Sequence, residues 1–163
     1  MKNETQQKIT IFLTFIDQAE EAMNLYVSLF KDSKIINKFY YNNDNPELAG
    51  KLMTATIELA GQRFMVLNGG SSFSFTQGFS LFVNCQSQNE IDELSAKLIG
   101  DTGEQLPCGW LRDKFGVSWQ IVPSNLGEKL NSGDPEGFKR MFTALMKMKK
   151  IDMATLQKAY DEA

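Results

Sequence analysis

The chain of 163 residues contains no histidine. Histidine is the commonest metal ligand and the only side chain whose ordinary charge change falls near neutral pH. Its absence excludes Ser-His-Asp and Cys-His nucleophile systems, H-E-x-x-H zinc sites and most oxygenase iron sites. Any chemistry must use carboxylate, amide, thiol or backbone groups. Cysteine is scarce too: Cys85 and Cys108 are too few for a disulfide framework, and no C-x-x-C occurs. No stretch approaches the ~18 uninterrupted apolar residues of a membrane span, and no single-residue tract is present. Positive charge is not in excess, since 17 Lys and Arg stand against 20 Asp and Glu. A phosphate-tracking surface needs Lys and Arg, so nucleic acid is not an expected partner, and without a long apolar run neither is a membrane. The dense run at 147–150 suits a helix C-terminus. Residues 1–10 are polar where a secretory signal would be apolar, which gives a cytoplasmic expectation.

What remains is a chain with 42% hydrophobic residues, long enough for one core, and 1–163 reads as a single domain. KITIFLTFI at 8–16 is a strand, and Asp17 with Glu20 forms a D-x-x-E variant of the capping box. Ala22, Leu25, Tyr26, Leu29 and Phe30 follow at helical spacing. A strand at 34–41 and a polar loop precede a hairpin, 51–60 and 62–68, about Gly61. The same order returns. GFSLFVNC at 78–85 is a strand, Ser87 and Glu90 make a second box, and Ile91, Leu94, Leu98 and Ile99 supply a helical stripe. Short strands at 104–106, 109–114 and 117–122 complete it. Glu20 and Glu90 are 70 residues apart, and Gly61 and Gly116 precede the last strand of each half. A βαβββ unit is therefore used twice, as modules 8–70 and 78–123, in an α+β fold. Beyond Pro123 a helical extension spans 134–163: Asp134-Pro135 starts one helix and Asp152 caps another. Phe138, Met141, Phe142, Leu145 and Met146 form its apolar stripe, read as core or a dimer contact.

Residues 107–123 read PCGWLRDKFGVSWQIVP, the strand at the start of 9–26 is followed by A-E-E-A-x-N-x-Y, and K-M-K-K-I-D occupies 147–152. With these segments the chain resembles the PhnB-like branch of the vicinal oxygen chelate (glyoxalase/bleomycin-resistance) superfamily, whose members are often labelled 3-demethylubiquinone-9 3-methyltransferase-like. The resemblance implies paired βαβββ modules, an eight-stranded incomplete barrel and a homodimer. The methyltransferase label is not supported by residues: no G-x-G offers the strand-to-helix turn such a cofactor uses, and Gly69-Gly70 reads as a linker. In the metal-dependent members of that superfamily, His, Glu or sometimes Gln ligands come from the first and last strands of each module. The last-strand positions map onto Met65 and Gln120 by registering Gly61 on Gly116, and the first-strand positions fall within 10–12 and 78–80. None is His, Asp or Glu, so no tightly bound metal and no cofactor is expected.

Strand alternation then describes the cavity wall. Gln120 facing inward brings Ser118 and Val122 with it and turns Trp119 and Ile121 to the helices. Arg63, Met65 and Leu67 share that side, with Phe64 and Val66 in the core. Thr10, Phe12 and Thr14, and Ser80, Phe82 and Asn84, are the polar rows of the first strands. Such a wall suits a small apolar or aromatic ligand with one polar end. Arg63 and Arg112 are candidate bidentate donors to that end, or else surface arginines on strand edges. Trp110 is a stacking surface or a packing residue. Cys108 lacks a base to make it a nucleophile, Cys85 reads as buried and inert, and Glu58, Glu104 and Asp113 form no acid/base dyad, Asp113 serving the turn before Gly116. The expected function is small-molecule binding. The alternatives are a metal-dependent lyase, isomerase or dioxygenase, and a scaffold whose cavity is filled by its own side chains.

Overall fold

The computed structural model describes residues 7–44, 46–131 and 133–162. The chain divides into two compact units, one ending at Ser74 and one beginning at Phe75. The first unit runs β1 (Ile11–Phe15), α1 (Ala19–Leu29), β2 (Lys34–Tyr40), β3 (Leu52–Leu59) and β4 (Gln62–Asn68). The second runs β5 (Leu81–Cys85), α2 (Gln88–Ile99), β6 (Glu104–Gln105), β7 (Trp110–Arg112) and β8 (Ser118–Pro123), followed by α3 (Asn125–Leu130), α4 (Pro135–Leu145) and α5 (Met153–Asp161). The sheets repeat one topology, β1-β4-β3-β2 and β5-β8-β7-β6. In each, the first strand lies parallel to the last and the other pairs are antiparallel. The fold is α+β, built from paired βαβββ modules, as expected.

Each sheet buries a row of side chains against its helix. In the first unit Leu13, Phe15, Ile57, Phe64 and Val66 are buried, together with Ala22, Met23 and Tyr26 of α1. In the second the row is Leu81, Leu111, Trp119 and Ile121, with Ile91, Leu94 and Leu98 of α2. The β3–β4 hairpin closes on Ala60 and Gly61, both at positive φ, the two-residue turn whose twist matches that of the strands it joins.

The strands are shorter at their starts than the apolar runs suggest. β1 begins at Ile11 rather than Lys8 and β5 at Leu81 rather than Gly78, so Thr10 and Ser80 each stand just before a strand. The two helix starts also part company. Ser87 Oγ accepts from Glu90 N at 3.2 Å, while the Glu90 carboxylate accepts from Gln86 N at 2.7 Å. The expected Asp17–Glu20 box does not form: α1 is preceded by Gln18 without a side-chain cap. Asn68, at the end of β4, does that work, accepting from Ala19 N at 2.8 Å and donating to Leu52 O at 2.9 Å. Glu20 instead accepts from Tyr40 Oη at 2.7 Å and Lys38 Nζ at 3.2 Å, and the tyrosine bond foremost holds its carboxyl below the ordinary value.

The helical extension belongs to the second unit. Asp134 and Asp152 cap α4 and α5 through Gly137 N and Thr155 N. Gln88 of α2 donates to Ile151 O at 3.0 Å and accepts from Met153 N at 2.9 Å. The N–H groups of Cys108 and Gly109 donate to Met148 O and Lys149 O, both at 2.8 Å. Gly109 sits at φ +79°, and a Cβ there would stand 2.8 Å from Ile121 O, so this approach requires glycine. The short α3 has no counterpart in the sequence reading. No helix among the described residues is long and apolar enough to cross a membrane.

Candidate functional site

The face of the second sheet opposite α2 carries three of the candidate residues on adjacent strands at one level. Gln120 of β8 is level with Phe82 of β5 on one side and Trp110 of β7 on the other. Level residues on neighbouring strands point to the same face. Phe82 is 55% exposed, and Trp110 and Gln120 are half-buried, so the row is open. Ser118 and Val122, in the same row of β8, are buried, which confines the accessible stretch to the neighbourhood of Gln120.

Ser80 reaches this row from just before β5. Gln120 Nε2 donates to Ser80 Oγ at 2.9 Å, joining two candidate residues 40 positions apart. The bond holds the amide, whose carbonyl oxygen accepts no hydrogen bond among the described residues. An aromatic ring on either flank of a fixed amide can grip a planar molecule through its faces and orient it through one polar group.

The first sheet repeats this pattern with different chemistry. Phe12 of β1 and Thr56 of β3 are level with Met65 of β4. Phe12 is 48% exposed, and Thr10, Thr14, Arg63, Met65 and Leu67 are half-buried. The 70-residue offset holds here, Thr10 with Ser80 and Phe12 with Phe82. Where the second sheet has an amide beside a hydroxyl, the first has a thioether.

Both candidate arginines stand level with an acid on the adjoining strand. Arg112 Nη2 lies 3.0 Å from Glu104 Oε2, and Arg63 is level with Glu58, which also pairs with Lys34 at 3.6 Å. The backbone of Arg63 is clamped by Gln7, which donates to its carbonyl at 3.4 Å and accepts from its N–H at 3.3 Å. Gln7 and Asn68 carry no signal in the sequence that separates them from other polar residues; only the register reveals them.

Asp113 is a structural carboxylate. Its Oδ1 accepts from Phe115 N and Val117 N, and its Oδ2 from Trp119 Nε1, all at 2.9 Å. Burial pushes the Cys85 thiol up from 9.0 to about 12, with Glu90 adding to the shift, so this cysteine is inert as a nucleophile. A shallow groove of about 570 Å³ lies along α4 and α5, lined by Glu136, Lys139, Arg140, Lys147 and Glu162 among others. Its charges are of mixed sign, and the Arg140 guanidinium is tied to Ala159 O and Tyr160 O.

The donor set of the two rows tests the metal that the resemblance implies. Phe12 with Met65 and Phe82 with Gln120 offer two phenyl rings, one thioether and one amide. A hard divalent cation needs several anionic or imidazole ligands to replace its water, and these residues do not fit one. Among the described residues no three His, Cys, Asp or Glu side chains gather as a metal cluster. S-adenosylmethionine fits no better. The turns from β1 to α1 and from β5 to α2 contain no glycine, and neither sheet is doubly wound.

A family profile described as 3-demethylubiquinone-9 3-methyltransferase matches residues 7–122. Among solved structures, the PhnB protein from Bacillus cereus is 41% identical with a TM-score of 0.64, the match covering 72% of this chain and 99% of that one. Protein PA1353 from Pseudomonas aeruginosa is 25% identical at a TM-score of 0.51, over 69% and 94% of the two chains. The fosfomycin resistance protein FosX from Listeria monocytogenes, complexed with Mn(II) and sulfate, is 14% identical at 0.50, over 79% and 98%; that likeness is one of fold alone. No curated protein matches the chain.

Proposed function

The chain belongs to the PhnB-like, or 3-demethylubiquinone-9 3-methyltransferase, family of the vicinal oxygen chelate superfamily, and on that premise we propose that it binds a small organic molecule without a tightly held metal. The observation that carries this reading is the open row Phe82–Gln120–Trp110, with Gln120 held by Ser80. The ligand is a planar or apolar body that packs against Phe82 and Trp110. Its polar end meets the amide of Gln120, with Arg112 at the rim. Thr10, Phe12, Arg63 and Met65 form the corresponding row of the first module. The methyltransferase part of the family description is not adopted, because no turn in either module suits the cofactor. The functional unit is a homodimer in the cytoplasm, whose mass native spectrometry would give as twice 18.4 kDa.

The test uses 8-anilinonaphthalene-1-sulfonate, an aromatic body with an anionic end, followed by fluorescence on the purified chain. Saturable binding is expected. Trp110→Ala should weaken it about tenfold, and Gln120→Ala about fivefold, the equivalent of roughly one hydrogen bond of 1 kcal/mol. Unchanged binding in both variants removes the site from this row. Metal analysis of the same preparation completes the experiment: one divalent ion per chain, lost in Gln120→Ala, would establish the metal-dependent enzyme instead.

A further inference from the structure

Cys108 and Met146 come from separate segments of the second unit, yet Cys108 Sγ and Met146 Sδ lie 3.6 Å apart. Both sulfurs stand on anchored backbone. Cys108 is in the left-handed region at φ +59°, in a 3₁₀ turn at Pro107–Gly109 whose N–H groups bond to Met148 O and Lys149 O. Met146 ends α4, its N–H bonded to Phe142 O at 3.0 Å. Both are also accessible: Cys108 is half-buried and Met146 is 58% exposed. The core does not call for this thioether, since Met141 and Leu145 fill the buried positions of α4.

We propose that these two sulfurs are a binding site for a soft monovalent metal ion, Cu(I) or Ag(I). Thiolate and thioether are the donors that select such ions over hard cations. With metal–sulfur bonds of about 2.3 Å, as for other thiolate-bound metals, two sulfurs 3.6 Å apart subtend about 100° at a shared ion. That angle suits a three- or four-coordinate ion and leaves a position open to a thiol from solution. On binding, a sulfur–metal bond replaces the S–H bond of Cys108, the proton passes to solvent, and no electrons are transferred. The exposed Lys147 and Lys149 flank Met148 in sequence and weigh against a divalent ion. A thiolate with a monovalent ion is neutral and tolerates them. The site makes no use of the aromatic row, so it stands independently of the ligand reading above.

The test is an anaerobic titration of the full chain with Cu(I) in competition with bicinchoninate. One equivalent per chain is expected, lost in Cys108→Gly and weakened at least tenfold in Met146→Leu. Glycine is the choice at 108 because it accepts φ +59° without strain, so the turn persists. A wild-type chain that takes up no Cu(I) overturns the proposal. So does Cys108→Gly retaining the ion, and so does Met146→Leu binding like wild type, which would leave a thiol acting alone.

Discussion

Asp113 sits 2% exposed between a tryptophan and its own turn, and both of its oxygens are committed there. Removing the carboxylate strands three buried donors, each costing about 1–3 kcal/mol. Asp113→Ala should therefore destabilise the chain by about 3 kcal/mol or more and lower Tm by roughly 10 °C in calorimetry. Asp113→Asn, which keeps one acceptor, should fall between. The turn role of Asp113 could be read from D-x-x-G before a strand; its hold on the Trp119 indole could not, because it depends on a six-residue separation folding back on itself. Cys85 gives a pH dependence. Its thiol is higher in the folded chain than its ordinary 9.0, so its contribution to stability is whole below pH 9 and is lost as pH rises toward about 12. Melting curves between pH 8 and 11 should show a shallower alkaline decline in Cys85→Ala than in wild type.

At the scale of elements, helix starts separate what local sequence decides from what register decides. Ser87 and Glu90 lie within one turn of each other, and a local pattern suffices to predict their bonds. Asp17 and Glu20 offer the same pattern, but β4 ends beside the start of α1 and places Asn68 on Ala19 N. Glu20 is then drawn to Tyr40 and Lys38 of β2. Asn68→Ala should cost about 1–2 kcal/mol by denaturant unfolding, a lost cap plus a lost bond to Leu52 O, while Asp17→Ala should be nearly neutral. The strand rows were legible for a related reason. Alternation has period two whatever the tertiary context, so Phe64 and Val66 could be assigned to the core and Met65 to the other face. The level of Phe82 with Gln120 needed the parallel register, which no short-range signal encodes.

For the whole molecule, the duplication was visible in spacing and in glycines, and the family in one long segment, so fold and family were readable together. The site was readable only as a face. The short α3 escaped because six residues show too little periodicity. Across the boundary of the two units in sequence, residues 71–79 are exposed apart from Phe75 and belong to no strand or helix. Chymotrypsin should make its first cut there, after Phe73, Phe75 or Phe79, and leave two fragments on a denaturing gel before any strand is cleaved. An early cut within β1 or β5 instead would show that those strands open first.

The bond from Gln120 to Ser80 lies wholly on the open side of its sheet, while Trp119 and Ile121, its chain neighbours, are sealed on the other. Period two thus splits a single strand into two texts written in alternate letters. One can be revised for a new ligand while the other goes on specifying the same shape. A protein engineer given this sheet could exchange Phe82, Trp110 and Gln120 as a set and expect the melting temperature to report little of what the binding assay reports.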